Sequence, residues 1–122
     1  MYTLEELKPL IIEWANERDL IHSENADKQR LKLIEECGEL ASAILKNDIE
    51  LQKDSLGDVF VVLTILEAQL GLKLDWSIEK HNKESFYHYM KAIIGSPINY
   101  AGYLFPLSEV INHDLTECAN LA

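Results

Sequence analysis

Positive charge is what this sequence most lacks. Eleven Lys and Arg stand against twenty-one Asp and Glu, the formal net charge is −10, and no Lys or Arg follows Lys91. An acidic surface repels phosphate backbones, which argues against a nucleic-acid polymer as partner. A small phosphorylated ligand stays open, because divalent cations can bridge two negative partners. Cysteine is scarce as well. Cys37 and Cys118 form neither a CxxC pair nor a disulfide framework, so they read as small apolar residues of a reducing, cytoplasmic compartment. Long apolar runs are missing: "VFVVLTIL", broken only by Thr64, falls well short of the roughly 20 residues that span a bilayer. The start, "MYTLEELKPLIIEW", has no basic region ahead of an apolar one, so neither a signal peptide nor a membrane partner is expected.

What remains is a chain with 48% hydrophobic residues, no repeat and no low-complexity linker, expected to form a single domain over residues 1–122. Apolar spacing predicts helices and no strand pair, an all-α fold. The first helix covers much of 4–18, with Thr3 and Glu6 as a capping box and Leu4, Leu7, Ile11 and Trp14 as its stripe. Pro9 removes a donor inside that pattern, so a start near Pro9 is the alternative. Asn25 or Asp27 caps a second helix from about Lys28 to Lys46, which stops at Asn47. A third runs from about Ile49 to Leu70, between an Asp48 cap and a left-handed Gly71. Residues 59–66 are apolar on nearly every side, which places them at a bundle centre or in a subunit interface. A fourth helix is expected from Trp76 to Ile94, then a break at "GSPINYAGYLFP". A short helix from Leu107 to about Asn112 follows, and a last one is opened by Asp114 with Glu117.

Carboxylates interrupt this pattern in "KLIEECGELASAIL" and "KDSLGDVFVVLTIL". Helical geometry puts Glu36 with Glu39, Glu35 with Glu39, and Asp54 with Asp58 on shared faces. If the two helices are antiparallel neighbours, these groups converge, and like charges held close need a cation between them. An all-oxygen donor set suits Mg²⁺ or Mn²⁺ better than Zn²⁺. A Glu-Glu-x-x-Glu run can equally be a solvated helix face. Asp58 resists that reading, because Val59, Phe60, Val61, Val62 and Leu63 follow it directly. Glu67, nine residues on, falls on about the opposite face and reads as solvated.

"EECGE", followed after fifteen residues by "SLGD", resembles the Glu-Glu-x-x-Glu … Glu-x-x-Asp signature of the MazG-like, all-α nucleoside triphosphate pyrophosphohydrolases. "IIEWANERDLI", "NADKQRLKLIEECGELASAILKND" and "KDSLGDVFVVLTILEAQLGL" extend the likeness to the phage-type small branch, over about residues 3–72. Residues of about 76–122 then form a helical C-terminal extension. The resemblance implies cleavage of the α–β phosphoanhydride of (deoxy)nucleoside triphosphates, giving a monophosphate and pyrophosphate, with Mg²⁺ on helix carboxylates. By position, Glu36, Glu39 and Asp58 would be ligands, and Glu35 would ligate or orient the attacking water. The third acidic position of the signature falls on Ser55, a poor ligand, and Asp54 is the substitute on the same face as Asp58. The alternative function is a helical nucleotide-binding, cation-binding or assembly module with a degenerate site.

Lys28, Gln29 and Lys32 precede Glu36 by one or two turns and could meet phosphates or base, or simply be solvated. Trp14 could stack on a nucleobase or belong to the core. Lys53 reads as a salt-bridge partner of the acidic pair, and Gly38 as room for a close helix or the metal site. His81 and His88 lie two turns apart without a third ligand, which favours surface or interface histidines. The aromatic "ESFYHYM" suggests packing against a partner copy. The all-round apolar third helix predicts self-association, as a dimer or tetramer, with residues 59–66 near the shared core. Finally, "DLTECANLA" resembles the start of the closing helix of phage-type relatives, in which a basic stretch normally follows. The expectation is a truncated form or a variant with weakened phosphate binding.

Overall fold

The computed structural model describes residues 1–77 and 84–122, and among these there is no strand. Helix α1 spans Leu4–Glu17, α2 Ala26–Leu45, α3 Ile49–Leu70, α4 Phe86–Gly95, α5 Pro97–Tyr100, α6 Leu104–Val110 and α7 Leu115–Leu121. Short 3₁₀ turns at Ser23–Asn25 and Ala101–Tyr103 lead into α2 and α6.

The capping box forms: Thr3 Oγ1 accepts from Glu6 N–H, and Glu6 Oε1 accepts from Thr3 N–H. That anchor carries α1 straight through Pro9, so the later start is ruled out. Proline's missing donor leaves only the carbonyl of Glu5 without its helical bond, and both residues are exposed to water. Ahead of α2, Asn25 holds the cap position without capping. Its side-chain nitrogen donates instead to Leu20 O at 3.3 Å. α3 has the expected ends, with Asp48 accepting from Leu51 N–H and Gly71 at φ 66°. Asn47, at φ 54°, turns the chain between α2 and α3.

α3 is the axis of the molecule. Val59, Phe60, Val62, Leu63, Thr64, Ile65 and Leu66 are all buried within this one chain, under α1, α2 and α7. The expectation that this helix needs a second copy to cover it is therefore corrected, because the C-terminal helices supply the cover. Gly57 is what lets α7 in: a Cβ there would sit 2.2 Å from Cys118 O. Gly38, by contrast, is exposed with nothing within 4 Å of a would-be Cβ, so neither close packing nor lack of space explains it.

Further expectations change with the structure. Among the described residues the fourth helix is Phe86–Gly95, capped by Ser85; Trp76 is not helical, and positions 78–83 of the expected helix lie outside the described residues. Residues 74–76 are instead pinned to the core. Glu67 Oε2 accepts from Leu74 N–H (2.8 Å) and Trp76 Nε1–H (3.0 Å), so Glu67 is a clasp and not a solvated group. Asp75 exchanges main-chain bonds with Ile98 and Gly102. The expected break after Ile94 is helical in short pieces, with Pro97 opening α5, and α6 starts at Leu104. Lys53 pairs with Glu117 of α7 at 3.6 Å. His88 stacks within the chain among Tyr89 and Tyr103, while His81 lies outside the described residues.

Candidate functional site

α2 and α3, joined by three residues, form a hairpin that brings "EECGE" opposite Asp58. On α2, carboxylate oxygens of Glu35, Glu36 and Glu39 lie within 4.8 Å of one another. Lys32, one turn earlier, donates to Glu35 Oε1 at 2.5 Å and lies 3.2 Å from Glu36 Oε1. These two carboxylates hold its ammonium charged well above the usual lysine range, Glu35 foremost. One lysine against three glutamates leaves the cluster negative.

Glu36 is the unusual member. It is only 6% exposed, and its Oε2 is buried with no hydrogen-bond partner. A buried carboxylate oxygen in that state costs several kcal/mol, roughly, unless something positive meets it. The Glu36 charge, before burial and the Glu35 charge, raises the pKa of Glu39. Asp58, half-buried across the hairpin, is raised first by burial and then by Asp54, with Glu39 adding to it. Asp54 itself is exposed, one turn before Asp58. Ser55 is fully buried and its Oγ has no partner. Converging hard oxygen donors with an orphaned buried oxygen suit Mg²⁺ or Mn²⁺. The residues present fit such an ion.

From this cluster a groove of about 560 Å³ runs between α2 and α3 toward the end of α1. Lys28, Gln29, Lys32 and Glu36 border it from α2, and Asp58, Val61, Val62, Ile65 and Gln69 from α3. Trp14 closes one side. It is 46% exposed, with the Arg18 guanidinium 4.1 Å from its ring centre, so it is not a core residue. Gln29 donates to Val62 O at 3.2 Å, which ties the two helices together at the groove floor.

The structure thus brings Glu36, Asp58, Lys32, Lys28, Gln29 and Trp14 to one groove, with Glu35 and Glu39 at its carboxylate end. Asp54 stands just outside. Sequence reasoning passed over Gln69 and treated Asn25 only as a cap, although both line the groove. Gln69 continues the Asp58–Val62–Ile65 stripe at helical spacing, and a polar residue in so apolar a helix was the available signal.

A family model described as the MazG nucleotide pyrophosphohydrolase domain matches residues 24–86. Over 69 residues the chain is 45% identical to a protein of Haemophilus phage HP1, described as an uncharacterized 18.2 kDa protein in the rep-hol intergenic region. That match covers 57% of this chain and 42% of the phage protein, so the chain spans less than half the length of this relative. No solved structure matches the chain.

Proposed function

The chain belongs to the MazG nucleotide pyrophosphohydrolase family, and on that premise we propose that it hydrolyses (deoxy)nucleoside triphosphates to the monophosphate and pyrophosphate. Glu36, Glu39 and Asp58 are the residues that would hold Mg²⁺, or Mn²⁺ in its place. The observation that carries this reading is the buried, partnerless Oε2 of Glu36 amid three further carboxylates. A fold keeps such a group where binding compensates for it. Asp54 stands in for the acid missing at Ser55, since its charge already bears on Asp58.

When bound, divalent cations polarise the phosphoanhydride and offset the substrate's charge. Glu35, exposed and tied to Lys32, is the group assigned to orienting the attacking water. Lys32 and Lys28 line the groove next to the carboxylates and would meet phosphate oxygens, Lys32 by giving up part of its bond to Glu35. Trp14 offers an exposed ring on which a base can stack, and Gln29 borders the same space.

The test is pyrophosphate release from a panel of ribo- and deoxyribonucleoside triphosphates, with Mg²⁺ and with chelator. Asp58→Asn and Glu39→Gln should each abolish Mg²⁺-dependent release while leaving the far-ultraviolet circular dichroism unchanged. Near wild-type turnover in both would defeat the assignment. Ser55 supports a second reading, nucleotide and cation binding without hydrolysis, because it places an uncharged buried side chain at an acidic position of the family pattern. Binding without pyrophosphate release would be its outcome.

Self-association as a dimer or tetramer belongs to the same proposal. Its support is no longer α3 but the outer face of α2, where Leu31, Ile34 and Leu45 are 67%, 50% and 84% exposed. Sedimentation at micromolar concentration checks it, with a monomer rejecting it. No helix among the described residues is long and apolar enough to cross a membrane. Cys37 and Cys118 are buried free thiols, pushed up to about 12 and about 11 by burial, which supports a reducing, cytoplasmic setting.

A further inference from the structure

We propose that Gln69 selects the nucleobase: its side-chain oxygen accepts a hydrogen bond from an exocyclic amine, so amino-bearing bases are favoured over uracil and thymine. This rests on the reading of the groove as a nucleotide site and extends it to the end remote from the carboxylates.

Three observations carry it. Gln69 lines the groove, is only 5% exposed, and its Oε1 has no hydrogen-bond partner. Its orientation is not arbitrary. The amide nitrogen donates to Leu20 O at 2.9 Å, and a carbonyl can only accept, so the oxygen must be the free end. The neighbouring carboxamides are turned the same way, Asn25 nitrogen to Leu20 O and Gln29 nitrogen to Val62 O. The amide donors of these three residues are thus spent within the fold, and Gln69 Oε1 is left as an acceptor in need of a partner.

The distances suit a nucleotide. Gln69 follows Asp58 by eleven residues, about 16 Å along a helix axis, and long helical side chains lean back toward the N-terminus. That sets the free oxygen roughly one nucleoside away from phosphates held at Asp58. Between them, Val62 and Ile65 offer an apolar wall and Trp14 an exposed ring, surfaces suited to the faces of a base. Cytosine and uracil have the same ring and nearly the same size, but cytosine presents an N4 amine where uracil presents a carbonyl oxygen. Against Gln69 Oε1 the first satisfies a buried acceptor and the second sets oxygen against oxygen. A site with a buried polar group left unpaired by the wrong ligand discriminates strongly.

The experiment compares kcat/KM for the cytidine and uridine triphosphates, with Mg²⁺ in excess, and calorimetric binding of the two monophosphates. The wild-type chain should favour cytidine by about tenfold or more in both. Gln69→Leu and Gln69→Met should bring the ratio to about threefold or less. Both variants leave Leu20 O its bond from Asn25, so the local fold keeps that anchor. Equal use of the two bases by the wild type, or an undiminished preference in both variants, overturns the assignment of Gln69. Absence of binding and turnover with every nucleotide overturns the function proposed above, and this inference with it.

Discussion

Replacing Glu36 by Gln should separate stability from function in a way few substitutions would. Each close carboxylate partner of Glu36 on α2 lies no farther than 4.8 Å, which at an effective dielectric of about 20 is a repulsion of at least about 3.5 kcal/mol. Lys32 at 3.2 Å returns about 5 kcal/mol on the same scale. The two glutamates on α2 together outweigh the one lysine. Because Lys32, Glu35 and Glu39 are exposed, water and salt scale every contribution down. A net repulsion of about 1 kcal/mol is left on Glu36, and Gln removes it at constant volume. In chelator the variant should therefore unfold about 3–6 °C above wild type. With Mg²⁺ at a hundred times its dissociation constant the wild type gains about 2.7 kcal/mol. The order then reverses, since the variant has lost a ligand. Thermal unfolding followed by circular dichroism, with and without Mg²⁺, reads both halves. A variant less stable than wild type in chelator, or one that keeps the full Mg²⁺ shift, refutes the reasoning.

Three more outcomes are expected. Asp54→Ala should weaken Mg²⁺ dependence far more than Ser55→Ala, whose main effect is to remove a buried hydroxyl without a partner; equal, small changes in Mg²⁺ titrations would exclude both from the site. Gly57→Ala should destabilise by at least about 2 kcal/mol in urea unfolding, because its Cβ would sit 2.2 Å from Cys118 O. Gly38→Ala should gain up to about 1 kcal/mol from helix propensity, and a reversed order would contradict the packing of α7 on α3. His113, whose Nε2 lies 2.9 Å from Gln52 Oε1, is held below the usual histidine range by burial first and Lys53 second. A depressed folded pKa means its contribution is full above the unfolded value and is lost as pH falls through the folded one. Stability should thus drop below about pH 6.5, and less so in His113→Gln, as urea midpoints at pH 7.0 and 5.5 would show.

Several features were legible because they are local. The Thr3–Glu6 capping box, the Asp48 cap, the left-handed Gly71 and the all-helical periodicity depend on neighbours within a turn or two, so residue order alone determined them. The carboxylate end of the site was legible for the same reason, since helical spacing puts Glu36 beside Glu39 and a short turn folds Asp58 toward them. What the tertiary structure decided was cover and connection. Nothing local says that α7 rather than a second copy buries α3, because that depends on Gly57 meeting Cys118 sixty-one residues away. Nothing local turns Glu67 from a solvated acid into the clasp of Leu74 and Trp76, or holds residues 74–76 against the core. Gln69 belongs with these, since its nitrogen is occupied and its oxygen left free only because Leu20, forty-nine positions earlier, faces it across the bundle. Hydrogen bonds and burial between distant segments outweigh propensities of a few tenths of a kcal/mol per residue, roughly, and those contacts exist only once the chain has closed on itself.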